Sequence, residues 1–143
     1  MAPPSQPSDN KRGLSVLIVE DEALVAMDLE FMLEDTGHAA IALADSLETA
    51  IKAVEAERPD IALVDIQLAF GESGLEVAKE LTERGIPVLF STGNCPGEAG
   101  RPLAMGCMHK PIVERSLRAA LKAAEARIEG REVSRLPSSV HFY

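Results

Sequence analysis

Short apolar runs alternate along the chain with longer segments in which apolar residues recur at helical spacing. The runs are continuous rather than alternating, which is typical of strands buried on both faces of a parallel sheet. They occupy residues 14–19, 39–43, 61–64, 87–90 and 105–109. Between them, stripes such as Val25, Leu29 and Met32 have the i, i+4, i+7 spacing of an amphipathic helix. This order predicts repeated β-α units around a parallel sheet.

Capping residues mark the ends of the first three predicted helices. Gly37 stands where a C-terminal cap of the first helix belongs, and Pro59 ends the second. Ser73 and Glu76 have capping-box spacing at the start of the third helix, which Gly85 closes. The sequence therefore places helices between successive strands.

The fourth helix segment differs from the others. Residues 94–103 hold two prolines and two glycines, so a fourth helix there should be short or frayed. A long fifth helix follows, with its apolar stripe over residues 113–128. Five such units predict an α/β fold with a doubly wound five-stranded parallel sheet and helices on both faces.

The 143 residues suffice for one core. We expect a flexible, proline-rich arm over residues 1–13, one folded domain over 14–128 and a C-terminal tail over 129–143. The tail is too short to form an output domain.

Charge and composition exclude several classes of function. A net charge of -9 without a basic cluster argues against nucleic-acid binding, and 3% aromatic residues argue against base stacking. No apolar stretch approaches the length of a membrane span, and residues 1–13 are polar and proline-rich rather than a signal peptide, so we expect a cytoplasmic protein. Cys95 and Cys107 lack metal-ligand spacing and should be small apolar thiols in a reducing compartment; packing is favoured over a redox switch.

Polar residues follow four of the predicted strands. Glu20 and Asp21 follow the first strand, Asp65 the third, Thr92 the fourth and Lys110 the fifth. In a doubly wound sheet these ends meet at one edge, where the ligand crevice lies. Three carboxylates together call for protonation or a hard cation, and Mg²⁺ or Mn²⁺ fits carboxylate oxygens. With such an ion, Asp65 can act as a nucleophile towards a phosphoryl donor, while Lys110 and Thr92 stabilise the phosphoryl oxygens.

Taken singly, each of these residues has an ordinary structural explanation. An Asp at a strand end is usually a cap or a solvated turn, and Glu20-Asp21 could serve as N-terminal charges of the first helix. Thr92 and Lys110 could belong to simple turns. Because these residues occur in order along the chain, each at the end of a predicted strand, a shared chemical site is favoured.

The motifs VLIVEDE, ALVDIQL, FSTGN and HKP resemble the receiver domains of two-component response regulators. The resemblance covers residues 14–128 and implies a flavodoxin-like fold with strand order 2-1-3-4-5. It also implies that Glu20, Asp21, Asp65 and the backbone carbonyl of Gln67 bind the metal, and that Asp65 is phosphorylated. The peptide bond between Lys110 and Pro111 should be cis.

FSTGN and the glycine-bearing loop LAFGES are similar to a receiver subgroup with a Phe-Ala-Thr-Gly motif on the fourth strand. Many members are single-domain proteins of alphaproteobacteria. Two features depart from the family: Cys107 replaces the switch aromatic that moves with Thr92, and the segment between Thr92 and Lys110 is shorter by about a turn of helix. We therefore hypothesise that phosphorylation orders the fourth helix segment.

The resemblance implies a stand-alone response regulator that receives its phosphoryl group from a sensor histidine kinase or phosphotransfer protein. A downstream protein would bind the face formed by helix 4, strand 5 and helix 5, and the chain would be a monomer or weak dimer. Its only chemistry would be self-catalysed phosphoryl transfer and hydrolysis, tuned by Gln67 and Asn94.

Three alternatives remain open from the sequence. One is a degenerate receiver that acts as a phosphorylation-independent interaction module, and another is a phosphate sink. A metal-dependent phosphatase is disfavoured, because the position for its general acid, two residues after Asp65, holds Gln67.

Overall fold

The computed structural model describes residues 13–68, 71–133 and 135–143. The predicted arm therefore lies outside the described residues except for Gly13. The strands are β1 Ser15–Val19, β2 Ala39–Ala44, β3 Ile61–Val64, β4 Val88–Thr92, β5 Gly106–His109 and β6 Val140–Phe142. The α-helices are α1 Ala23–Asp35, α2 Leu47–Ala56, α3 Gly74–Glu83 and α4 Glu114–Ile128, with a 3₁₀ helix at Gly97–Gly100.

The strands form one sheet in the order β2-β1-β3-β4-β5-β6. The first five are parallel and have the predicted order 2-1-3-4-5. The sixth strand was not predicted: it runs antiparallel to β5 and lies within the predicted tail. The doubly wound α/β fold is confirmed, with one added edge strand.

Helices cover both faces of the sheet. Apolar residues of α1 and α4 pack with one set of strand side chains, and those of α2 and α3 pack with the other set. The central strands β1 and β3 are almost wholly buried, as their continuous apolar runs predict. This two-sided packing fixes the positions of the residues that follow each strand. None of the helices in the described residues is both long and apolar enough to cross a membrane.

Helix capping follows the sequence with one difference. Gly37 has a φ of 92°, and the amide of His38 donates to the carbonyl oxygen of Leu33, which closes α1 as predicted. Ser73 caps α3 by accepting a hydrogen bond from the amide of Leu75 rather than through the predicted reciprocal box with Glu76.

The fourth helix segment is the single 3₁₀ turn Gly97–Gly100, in agreement with the predicted short helix. The prediction of separate cysteine thiols is wrong, because Cys95 and Cys107 form a disulfide. The short turn brings the chain back so that the two Cα atoms lie 6.1 Å apart, within the range that a disulfide spans.

The added strand β6 depends on a glycine in β5. A Cβ at Gly106 would lie 2.5 Å from the carbonyl oxygen of His141 and 3.0 Å from the ring of Phe142. Val140 of β6 is buried in the core, and the amide of Tyr143 donates to the carbonyl oxygen of Met105. The close approach of β6 thus requires the absence of a side chain at Gly106.

We predict that Gly106→Ala displaces β6 and lowers the free energy of unfolding by about 1–3 kcal/mol, because the added methyl group overlaps the neighbouring backbone. Urea denaturation measures the change, and amide exchange at residues 140–143 locates it. Gly93→Ala is the matched control, since nothing lies within 4 Å of its Cβ position. Equal stability of the two variants would contradict the prediction.

Candidate functional site

The acidic residues lie at the carboxyl ends of the two central strands. Glu20 and Asp21 follow β1, and Asp65 follows β3. The amide of Asp65 donates to the carbonyl oxygen of Val19 at 2.9 Å, so the ladder between β1 and β3 continues to the site. This pairing brings the acids of one strand beside the acid of the next.

The three carboxylates form a compact cluster. One oxygen from each of Glu20, Asp21 and Asp65 lies within 4.8 Å of the others. Glu20 and Asp65 are only 4% and 5% exposed, whereas Asp21 is half-buried. Carboxylate oxygens at a partly open edge are the donors that Mg²⁺ and Mn²⁺ prefer, so the donor set fits a hard divalent cation.

Lys110 bridges two of the acids. Its Nζ donates to Glu20 Oε1 at 2.9 Å and to Asp65 Oδ2 at 3.1 Å. Burial lowers the pKa of Lys110, but the hydrogen bonds that it donates to Glu20 and Asp65 outweigh burial and leave the pKa raised, so the ammonium stays charged. For Glu20, burial dominates and raises the pKa of the carboxyl group, although the bond from Lys110 opposes the shift. The site thus holds one ammonium group, that of Lys110, among three carboxyl groups.

Thr92 lies at the end of β4 and is 2% exposed. Its Oγ1 accepts a 3.3 Å hydrogen bond from the backbone amide of Asn94. Its carbonyl oxygen accepts a hydrogen bond from the backbone amide of Lys110 at 2.8 Å. The backbone bond places Thr92 directly beside the lysine. The Lys110-Pro111 peptide bond is cis, as the family resemblance implies.

Cys107, the residue at the predicted switch position, does not join the acidic cluster. It is fully buried in β5 among the side chains on the α2 and α3 face of the sheet, where it is bonded to Cys95. The structure therefore brings together the acids, Lys110 and Thr92, and separates Cys107 from them.

Gly74 is a positioning residue that the sequence patterns did not predict. A Cβ there would overlap the carbonyl oxygen of Asp65, so the first residue of α3 lies directly against the backbone of the central acid. The amide of Gly74 donates to the carbonyl oxygen of Ile66 at 2.7 Å, and that of Gln67 to Asp65 Oδ1 at 3.1 Å. The sequence indicates only a cap at Ser73 and Glu76, whereas the glycine between them permits this close approach.

A family model described as "Response regulator receiver domain" matches residues 16–122. The chain is 30% identical to the transcriptional regulatory protein PdtaR of Mycobacterium tuberculosis over 145 aligned positions, which cover 98% of this chain and 69% of that protein. It is 47% identical to the phyllosphere-induced regulator PhyR of Methylorubrum extorquens over 79 positions, which cover 54% of this chain and 30% of PhyR. The chain thus spans under a third of PhyR in that alignment.

The fold is similar to that of a solved receiver structure. The signal receiver domain of a modulated diguanylate cyclase from Desulfovibrio desulfuricans aligns with a TM-score of 0.72 and 32% identity, covering 82% of this chain and 98% of the other. Membership of the Phe-Ala-Thr-Gly subgroup stays a prediction.

We predict a pH effect that isolates Glu20. Because the pKa of Glu20 is raised in the folded state, its protonated form contributes stability that is lost as the pH rises from its ordinary value of 4.5 through the folded-state pKa. In metal-free buffer, wild type should therefore lose more stability than Glu20→Gln between acid and neutral pH. Urea denaturation across this range measures the difference. Glu83→Gln, at an exposed position of α3, should follow wild type, and parallel profiles for all three proteins would count against the prediction.

Proposed function

Because the chain belongs to the response regulator receiver family, whose members are signalling domains, we propose that Asp65 accepts a phosphoryl group and that the modified protein binds a partner differently. The observation that supports this best is the cluster of Glu20, Asp21 and Asp65 with Lys110 bonded across it. Carboxylates, a lysine and a strand-end hydroxyl are the groups that phosphoryl transfer to an aspartate requires.

Divalent-cation binding at the acidic pocket is typical of this family. In this chain, Glu20, Asp21 and Asp65 would hold the ion, together with the backbone carbonyl of Gln67. Mg²⁺ or Mn²⁺, when bound, supplies positive charge that offsets the carboxylates and the incoming phosphoryl oxygens.

The residues have distinct roles in the proposed transfer. A carboxylate oxygen of Asp65 attacks the phosphorus of a phosphohistidine, so that an aspartyl O–P bond forms as the histidine N–P bond breaks. The imidazole leaves on the kinase or phosphotransfer protein. Lys110 Nζ then donates to a phosphoryl oxygen in place of Asp65 Oδ2, and the Thr92 hydroxyl turns from the Asn94 amide to a second oxygen.

Hydrolysis of the acyl phosphate would be a slow reaction of the protein itself. Gln67 and Asn94 are exposed beside the site, where their side chains can position or block water. Uptake and loss of the phosphoryl group are then the whole of the proposed chemistry.

An apolar surface on α1 is a candidate docking site for the kinase or phosphotransfer protein. Leu24, Met27 and Phe31 are 80%, 57% and 72% exposed, and they line a groove together with Lys110 and Pro111. Exposed large apolar side chains grouped in this way are typical of protein interaction sites. A partner there would place its phosphohistidine next to the acidic cluster.

The proposed output face is formed by the 3₁₀ segment, β5 and α4. In this chain β6 lies along the outer edge of β5, and Arg127 of α4 stacks over the ring of Phe142. A downstream partner would therefore contact β6 as part of this face. Ordering of residues 94–105 on phosphorylation would change the same surface.

A phosphorylation-independent interaction module is the second candidate function. Its support is Cys107, which occupies the position of the switch aromatic and is held in a disulfide. A phosphate sink would share the chemistry of Asp65 and lack a downstream partner.

We predict that wild type incubated with Mg²⁺ and acetyl phosphate gains the mass of one phosphoryl group and that Asp65→Asn gains none. Asp21→Asn should lower the yield at least about tenfold, because one metal ligand is lost. Intact-mass spectrometry measures the adduct, with a chelator as a second control.

The matched control is Asp35→Asn, which removes an exposed carboxylate at the end of α1 and should label like wild type. Failure of wild type to form the adduct with either Mg²⁺ or Mn²⁺ would refute the phosphorylation proposal and favour the interaction module.

We further predict that Phe31→Asp slows phosphotransfer from a sensor histidine kinase that phosphorylates wild type, by about tenfold, because an exposed apolar anchor is lost. Labelling by acetyl phosphate should be unchanged, since the acidic cluster is intact. Ile128→Asp, at an exposed position of α4, is the control. Equal transfer rates for Phe31→Asp and wild type would exclude α1 as the docking surface.

A further inference from the structure

The two cysteines join the fourth helix segment to the sheet. Cys95 stands three residues after Thr92, at the start of the segment, and Cys107 lies in β5. The disulfide closes a loop with a sequence separation of 12 that contains the 3₁₀ turn. Formation or loss of this bond therefore decides whether the start of the segment is tied to β5.

Few other bonds hold the start of this segment in the described structure. Residues 100–105 are attached by hydrogen bonds from Met105 to Val88 and from Thr82 Oγ1 to the carbonyl oxygen of Leu103. Before the 3₁₀ turn, the amide of Asn94 donates to Thr92 Oγ1 at 3.3 Å, and the next residue is Cys95. The disulfide is thus the strongest anchor of the part of the loop that contacts Thr92.

We propose that Cys95 and Cys107 are a reversible thiol–disulfide pair whose redox state sets the mobility of residues 94–99 and, through Asn94, the freedom of the Thr92 hydroxyl. The link to phosphorylation rests on the proposed function of Asp65, whereas the effect on mobility does not.

The burial of the two residues assigns the order in which their thiols react. Cys95 is partly exposed and Cys107 is fully buried. With a low-molecular-weight disulfide as the oxidant, the Cys95 thiolate attacks one oxidant sulfur and releases one thiol. The Cys107 thiolate then attacks the Cys95 sulfur of the mixed disulfide and releases the second thiol. Two protein thiols and one small disulfide thereby become one protein disulfide and two small thiols.

The effect on Thr92 follows from the short connection between the residues. In the oxidised protein, Cys95 is fixed to β5, which keeps the Asn94 amide beside Thr92 Oγ1. After reduction this tie to β5 is gone, and the glycines of the segment leave its backbone conformationally free. The Thr92 hydroxyl is then freer to turn towards a phosphoryl group on Asp65.

The test is amide exchange of the full chain, without phosphorylation, in oxidised and reduced glutathione buffers, with thiol trapping and mass spectrometry to report the redox state. We expect exchange across residues 94–99 to be at least about tenfold faster in the reduced protein and to slow again on reoxidation. Cys95→Ser should exchange at the fast rate in both buffers. Because residue 95 is partly exposed, this substitution should leave the fold intact. Reduced wild type is a second comparison, in which no residue is substituted.

Exchange that is equal in the two redox states would overturn the proposal, as would failure of oxidised glutathione to restore the disulfide. The link to Thr92 is tested by acetyl phosphate labelling, which should be roughly threefold faster in the reduced protein. Equal labelling rates would overturn that link. Absence of labelling in both states would instead contradict the proposed function of Asp65, while the exchange result would still decide the redox pair.

Discussion

The close approach of three carboxylates at one edge of the sheet is the constraint on which the functional part of the molecule depends. The ladder between β1 and β3 imposes it, because Asp65 hydrogen bonds to Val19 and so lies beside Glu20. Like charges at this distance disfavour each other, and burial adds to the cost. Lys110 offsets part of the repulsion by bonding to both buried acids. The packing of the central strands holds the three carboxyl groups in place against the repulsion that remains between them.

Most of the sheet and the acidic site could be predicted from local patterns. The run 61–64 is apolar throughout and is followed by an acid, so both β3 and the position of Asp65 follow from one short stretch of sequence. The other site residues follow from the same rule, since the carboxyl ends of parallel strands share an edge. The rule needs only strand ends, which apolar runs mark clearly.

Features that depend on tertiary approach could not be predicted in this way. β6 has three residues, with exposed His141 between two less exposed neighbours, and such a short stretch carries no periodic signal. The disulfide depends on how tightly the 3₁₀ turn folds back, and the role of Gly74 depends on how near α3 comes to Asp65. The spacing of residues along the chain does not determine any of these distances.

The edge of the sheet beyond β5 is a surface on which another sheet could pair. The edge beyond β5 ends in β6, a strand so short that it leaves few free amide and carbonyl groups for another sheet to pair with. Without this strand, the four residues of β5 would themselves form the open edge of the sheet. Removal of residues 140–142 would therefore open this edge to association in concentrated solution, and it would also loosen the core beneath β5, to which Val140 belongs.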